Sequence, residues 1–214
     1  MKYLDISPPI SAKTAVFPGD QPFARTIALD FNNHDNLLLS SIQTSLHIGA
    51  HADAPNHYHP AGGDIATRPL DYYLGPCQVI WVDLPAGRRI LPGHLADKPI
   101  TAKRVLFRTN SFPDPTRWNS DFNSVSPELI DYLADRGVCL VGIDTPSVDP
   151  EQSKILESHQ AVYRRDLAIL EGLVLTEVPE GEYYLVALPL RLEGADASPV
   201  RAILITDRSL PHLP

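Results

Sequence analysis

The chain contains 214 residues, of which 43% are hydrophobic and 21% are charged, which predicts a single globular domain spanning residues 1–214. Its 18 basic and 26 acidic side chains give a net charge of −8, which argues against a nucleic-acid partner. No apolar stretch reaches the roughly 18 residues of a membrane span, so no membrane association is expected.

In chain order, six apolar and β-branched runs bounded by Pro, Gly, Asp or Asn predict strands. They cover residues 37–46, 77–84, 104–110, 138–143, 183–190 and 200–206. The alternation of a doubly wound fold is absent, and so are the phosphate-binding motifs GxGxxG and GxxxxGK[ST]. The pattern predicts a β-rich α/β domain.

One helix is clearly indicated after the third strand. Ser126 can cap it, Pro127 fits its first position, and Gly137 can end it. An apolar stripe is expected from Leu129, Ile130 and Leu133. A second helix is predicted around residues 152–165.

The two cysteines, Cys77 and Cys139, each stand among apolar residues. A buried thiol packs as a small hydrophobe, so we expect two buried free thiols, with a disulfide or a metal pair as the alternatives. The N-terminal segment MKYLDISPPI has no apolar core of the signal-peptide type. Together these features predict a reducing, cytoplasmic location.

Four of the eight histidines fall in the segment SLHIGAHADAPNHYHPAGG, where His47, His51, Asp53 and His57 carry imidazole or carboxylate groups. These groups are ligands that suit zinc and similar divalent ions. The alternative is a solvent-exposed histidine-rich loop. The close spacing of two histidines and an aspartate within seven residues disfavours this alternative. The remaining histidines are predicted to be a plain loop residue (His59) and surface residues (His34, His94 and His212).

Geometry limits how this segment can use its ligands. On a straight strand four residues span about 13 Å, whereas metal–ligand bonds are about 2 Å, so His47 and His51 could not share an ion there. Gly49 and Pro55 disfavour a helix. We therefore predict a strand that ends near His47, a bend at Gly49 that folds His51 back, and a loop that continues to His57.

The segment HIGAHADAPNH resembles the signature of the metal-dependent cyclase-like hydrolases. Its HxGAHADAPxHY pattern is most similar to their kynurenine formamidase branch, because Ala50 replaces a Thr that is common in the wider family. The resemblance continues through LDISPPIS, VFPGD, PLDYYLGPCQVI, GIDTPSVDP, SHQAVYRRDLAILEGL and ALPLRLEGADASPVRAIL. It implies a swivelling β/β/α domain, a homodimer, and hydrolysis of N-formyl-L-kynurenine to L-kynurenine and formate in tryptophan breakdown.

The resemblance also implies a site for two divalent metal ions per subunit, usually zinc. The first ion would be held by His47, His51, Asp53 and Glu171, and the second by Asp53, His159 and Glu171. His57 would be the general acid/base. Without the resemblance, His159 and Glu171 would be ordinary helix-surface and strand-end residues.

One position departs from the family pattern. The block VWPGD commonly carries a Trp that lines the substrate pocket, and here that residue is Phe17. Phe keeps an aromatic face for stacking but lacks the indole N–H donor. We carry the substrate-binding role over to Phe17 and expect the change to affect substrate affinity.

Two other functions compete with the formamidase interpretation. One is another cyclase-family hydrolase, such as an enzyme that opens the isatin ring; Ala50 and the HADAPxHY pattern argue against it. The other is a non-catalytic metal-binding domain. An intact His57 argues against that alternative, because protonating an aniline leaving group needs an unligated acid whereas a metal scaffold does not.

Overall fold

Residues 2–206 are described by this computed structural model and form thirteen strands and three α-helices. The strands are Tyr3–Asp5 (β1), Ala24–Leu29 (β2), Leu39–Gln43 (β3), His51–Asp53 (β4), Leu74–Trp81 (β5), Arg89–Ile90 (β6), Arg104–Arg108 (β7), Ser124–Val125 (β8), Leu140–Ile143 (β9), Ala168–Glu171 (β10), Gly181–Val186 (β11), Ala197–Pro199 (β12) and Ile203–Ile205 (β13). The α-helices are Pro55–Tyr58 (α1), Pro127–Ala134 (α2) and Glu157–Arg165 (α3). His212 lies outside the described residues.

Nine strands form one sheet in the order β1-β13-β11-β5-β7-β9-β10-β4-β12. The four central strands β5, β7, β9 and β10 run parallel, and the strands on either side of them pair antiparallel. Two small sheets, β2-β3 and β6-β8, complete the architecture. The predicted β-rich α/β class is confirmed.

Each of the six predicted apolar runs overlaps a strand. The first run differs from the others, because β3 forms an exposed hairpin with β2 instead of entering the large sheet. The prediction that His34 and His94 are surface residues is confirmed, because both are exposed. None of the helices formed by residues 2–206 is both long and apolar enough to span a membrane.

The predicted helix is α2. The Ser126 hydroxyl accepts a hydrogen bond from the Leu129 N–H at 3.1 Å, and Gly137 follows the helix with a φ of +79°. The predicted start of the second helix was wrong, because α3 begins at Glu157. The carboxylate of Asp149, earlier in the chain, accepts the backbone N–H of Ser158 and so caps α3 at this point.

Alternation along the central strands produces two cores, one on each face of the sheet. In β7, Val105 and Phe107 face the core that α2 and α3 cover, whereas Leu106 belongs to the core on the other face. The same alternation sends Ala52 of β4 into the second core, so its neighbours His51 and Asp53 face the α3 side. Buried apolar contacts therefore determine which way the polar side chains of β4 point.

Candidate metal centre and active-site cavity

A bend at Gly49 joins the two halves of the histidine-rich segment, as predicted. Gly49 has a φ of +60°, a conformation that glycine adopts without steric cost. The preceding strand ends earlier than predicted, at Gln43, so His47 lies in a turn. Its backbone N–H donates to the Ser45 hydroxyl at 3.1 Å.

After the bend the chain is more regular than the predicted loop. His51 and Asp53 lie on β4, which pairs with β10 on one side and β12 on the other. Their spacing of two residues puts both side chains on one face. The register places His51 directly opposite Glu171. His57 lies in the single-turn helix α1, which Pro55 can begin because a helix's first residue needs no N–H partner.

His51 has one nitrogen satisfied and one without a partner. Its Nδ1 lies 2.9 Å from the Gly49 carbonyl oxygen, which can only accept, so Nδ1 carries the proton. Nε2 makes no hydrogen bond, although it is buried and lies 3.2 Å from Glu171 Oε2 and 3.5 Å from Asp53 Oδ1. A buried lone pair aimed at two carboxylates is repulsive unless a cation lies between them, so these residues fit a metal ion.

His159 is oriented in the same way from α3. Its Nδ1 lies 2.8 Å from Asp149 Oδ2, and its Nε2 lies 3.3 Å from Asp53 Oδ2 and 3.6 Å from Glu171 Oε1. The other Asp149 oxygen lies 3.1 Å from Arg89 Nη1. Burial disfavours the charged imidazole, but the surrounding carboxylates outweigh burial and raise the pKa of His159 to about 10.

His47 bridges two carboxylates. Its Nδ1 lies 3.0 Å from Asp53 Oδ1 and its Nε2 lies 3.0 Å from Asp196 Oδ2. Burial acts against protonation, but the charge of Asp53 and the hydrogen bonds to both carboxylates raise the pKa of His47 to about 10. In each of three histidines, one ring nitrogen faces an oxygen acceptor outside the proposed ligand set and the other faces Asp53 or Glu171. These histidines are His47, His51 and His159.

His57 lies beside this cluster and is one-third exposed to the cavity. Its ring centroid is 4.2 Å from that of His47, and its Nδ1 lies 3.4 Å from Asp196 Oδ2. Ligand atoms of His57, Asp53 and His159 also lie within 4.8 Å of one another. The geometry therefore places His57 within reach of either role, ligand or proton carrier.

The two central carboxylates are almost fully buried. Asp53 and Glu171 are 1% and 2% exposed, and the Val148 N–H donates to Glu171 Oε1 at 2.7 Å. Burial alone would raise the pKa of Asp53, but His47 and His159 hold it well below its usual range. The five proposed ligands thus bring imidazole nitrogens and carboxylate oxygens close together, the donor set that zinc-like ions take.

A cavity of about 440 Å³ opens onto this cluster. Its lining includes His47, His57, His159 and Glu171, together with the aromatic side chains Phe17, Phe112 and Trp118. The Phe17 and Trp118 rings meet edge to face, with centroids 5.2 Å apart. The structure therefore places Phe17 at the predicted cavity, 41% exposed.

Four residues of the site were missed by sequence reasoning: Asp149, Asp196, Arg89 and Trp118. Asp149 and Asp196 lie within blocks that carry the family resemblance, but a lone aspartate has no spacing that links it to a distant histidine. His59, predicted as a plain loop residue, ends α1 and stacks on Tyr163 with ring centroids 3.7 Å apart.

The chain is similar in sequence to one protein family and to kynurenine formamidases of two bacteria. A family model described as "Putative cyclase" matches residues 4–150. The kynurenine formamidase of Paracidovorax citrulli is 48% identical over 206 residues, covering 94% of this chain and 95% of its own. The kynurenine formamidase of Bordetella petrii is 49% identical over 203 residues, covering 94% and 96%.

Solved structures share the same architecture. A structure described as a potential metal-dependent hydrolase with cyclase activity has a TM-score of 0.82 at 30% identity, covering 95% of this chain and 96% of its own. Isatin hydrolase A from Labrenzia aggregata has a TM-score of 0.80 at 20% identity, covering 96% and 94%. The second likeness shows the fold alone.

Proposed function

Because this chain belongs to the cyclase family, we propose that it is a metal-dependent kynurenine formamidase, which hydrolyses N-formyl-L-kynurenine to L-kynurenine and formate in tryptophan degradation. The observation that carries the proposal is the identity of 48–49% over 94% of the chain with two kynurenine formamidases. The substrate is accordingly a small molecule, and the bond cleaved is a linear amide C–N bond.

We propose that two divalent ions, zinc by preference, are held at the cluster. The ligands of the first would be His47, His51, Asp53 and Glu171, and those of the second Asp53, His159 and Glu171. The support is the unpartnered Nε2 of His51, which faces two buried carboxylates. Metal ions at such a site supply Lewis acidity and lower the pKa of water to about 7.

His57 is proposed to move protons during the reaction. The Asp196 carboxylate, which only accepts, favours a proton on His57 Nδ1, so Nε2 is the nitrogen free to exchange one. Nε2 would take a proton from the attacking water and return it to the amide nitrogen as the C–N bond breaks. That return is needed because an anilide anion is a poor leaving group.

The remaining proposals concern assembly and location. We propose a homodimer, supported by the β2-β3 hairpin, which exposes the large apolar side chains Ile27, Phe31, Leu39 and Ile42. Exposed apolar side chains gathered on one hairpin fit an interaction site. A cytoplasmic location is supported by the two free cysteines, of which Cys77 is buried and Cys139 half-buried.

The function is tested by metal analysis and a formylkynurenine hydrolysis assay on one purified sample. We expect the sample to contain bound divalent metal and to release L-kynurenine and formate. Chelation should remove the metal and abolish hydrolysis, and added zinc should restore hydrolysis. Isatin assayed in parallel tests the ring-opening alternative. Metal-loaded protein that leaves formylkynurenine intact contradicts the proposal, and preferential hydrolysis of isatin would replace it.

A further inference from the structure

Trp118 lies on residues 109–123, the segment that connects β7 to β8 and lines the cavity. Its ring meets three others edge to face, with centroid distances of 5.2 Å to Phe17, 5.8 Å to Phe112 and 6.1 Å to Phe122. Edge-to-face contacts of this kind fix the plane of a ring as well as its position. Trp118 is thus the centre of an aromatic cluster that reaches the cavity.

Hydrogen bonds hold the two cavity walls that carry Trp118 and Phe17 together. The Ala15 N–H donates to the Pro115 carbonyl at 2.9 Å and so ties the Phe17 segment to the Trp118 segment. Where the second segment begins, the buried carboxylate of Asp144 accepts the backbone N–H groups of Thr109 and Asn110, each at 2.8 Å. The walls are therefore arranged before any ligand arrives.

The indole of Trp118 has a further tie that a phenyl ring cannot make. Its Nε1–H donates to Glu151 Oε2 at 2.8 Å, on the segment between β9 and α3. This bond satisfies the polar edge of the indole and leaves its aromatic carbons for the cavity. Trp118 therefore combines a large apolar surface with a fixed orientation, whereas Phe17 offers a smaller ring.

We propose that Trp118 recognises the aryl ring of the substrate, an inference that rests on the proposed formamidase function. The cavity lining contains the aromatic side chains Phe17, Phe112 and Trp118, so it offers an aryl ring aromatic contact. The proposed proton carrier His57 and the proposed metal ligand Glu171 line the same cavity, so a ring packed against Trp118 would share that cavity with both.

The test compares W118L with W118F in the metal-loaded protein. Leucine keeps an apolar wall without a ring, whereas phenylalanine keeps an aromatic face. We expect KM for formanilide to be about 2- to 12-fold higher in W118L than in W118F, with kcat changed little, as for loss of one aromatic contact. N-cyclohexylformamide has a saturated ring, so its inhibition constant should differ much less between W118L and W118F. Equal effects on both compounds, or none, would overturn the inference.

A binding measurement separates this inference from the proposed function. The chain has two tryptophans, and Trp81 does not line the cavity, so W81F leaves Trp118 as the fluorophore. L-kynurenine absorbs where tryptophan emits, and energy transfer weakens steeply with distance, so its binding should quench W81F more strongly than W118F. Quenching without hydrolysis of any formamide would refute the formamidase function alone. Hydrolysis with unchanged KM in W118L and equal quenching in W81F and W118F would refute the Trp118 role alone.

Discussion

The ring of His159 donates from Nδ1 to Asp149 Oδ2 over 2.8 Å, and the same carboxylate accepts backbone N–H groups of Ser158 and His159. One side chain thus both begins α3 and fixes the tautomer of a proposed metal ligand. Burial opposes ionisation of Asp149, but these donors lower its pKa to about 2. The helix start and the ligand orientation therefore depend on one negative charge.

Replacing Asp149 by Asn should weaken metal binding by about 10- to 100-fold, because the neutral amide holds the His159 N–H less firmly. The apparent affinity can be measured by competition with a chromogenic chelator, alongside Tm. Asp30→Asn is the matched control, since Asp30 accepts the Asn32 N–H in the exposed hairpin and has no contact with the cluster. Equal affinities in the two variants would contradict the orienting role.

Single substitutions separate the proposed proton carrier from the ligands. His57→Ala should retain bound metal but lose activity by roughly 10²–10⁴-fold, the range of general acid–base catalysis. In His51→Ala, metal content and activity should fall together, and Asp53→Ala should be the most damaging because it removes a ligand from both ions. Metal stoichiometry and kcat, measured on folded samples of all three variants, distinguish a ligand from a proton carrier. Loss of metal from His57→Ala would make it a ligand, with His159 the next candidate for the proton carrier.

Phe17→Ala should weaken substrate binding more than it slows chemistry. The lost aromatic contact, worth about 0.5–1.5 kcal/mol beyond area burial, should raise KM about 2- to 12-fold with little change in kcat. Steady-state kinetics with formylkynurenine provide the measurement. Tyr3→Ala, which removes an exposed ring on β1, is the control. If KM stays at its original value, Phe17 has no part in binding substrate.

The cysteines should not contribute to metal binding. Burial raises the pKa of the Cys77 thiol, which disfavours the thiolate that metals require. A double Cys77→Ser, Cys139→Ser variant should keep its full metal content. It should lose stability, about 1–3 kcal/mol at the fully buried Cys77, where a hydroxyl finds no ready partner. Metal analysis of folded protein and denaturant unfolding test both parts, and a drop in metal content would show that a thiol is a ligand.

Metal binding should release protons. The pKa values of His47 and His159 are raised to about 10 without metal, so both rings hold protons at pH 7 that an ion must displace. Apparent affinity should therefore increase with pH until about 10. Calorimetry in buffers of different ionisation enthalpy measures the release. His94→Ala, an exposed histidine outside the cluster, should behave like the parent chain, whereas His159→Ala should release fewer protons. Identical heats in all buffers would count against the prediction.

Local chemistry made much of this molecule predictable. The buried strands β7 and β9 lie within predicted apolar runs, and the cap at Ser126 defines the start of α2, because burial and capping restrict the types of neighbouring residues. The density of His47, His51 and Asp53 likewise indicated a metal site. Glu171 and His159 needed the family resemblance.

Long-range pairing explains what the residues alone could not reveal. Asp196 reaches His47 across 149 positions because β12 pairs beside β4, and no local pattern encodes that register. The start of α3 depends on Asp149, outside the helix, and so escaped the prediction. In the sequence, nothing distinguishes Trp118 from an ordinary core aromatic residue. In the structure, the backbone hydrogen bond between Ala15 and Pro115 brings its segment beside that of Phe17.

The position of β4 between β10 and β12 has a consequence for synthesis. The ribosome releases His51 and Asp53 early, yet both partner strands come more than 100 residues later. At about 5–20 residues per second, the wait until Pro199 emerges lasts on the order of 10 seconds. Until Glu171 emerges, the nascent chain carries a histidine-rich segment without that carboxylate. A metal ion captured then would meet an incomplete set of the proposed ligands, so we expect correct loading to follow the completion of the sheet.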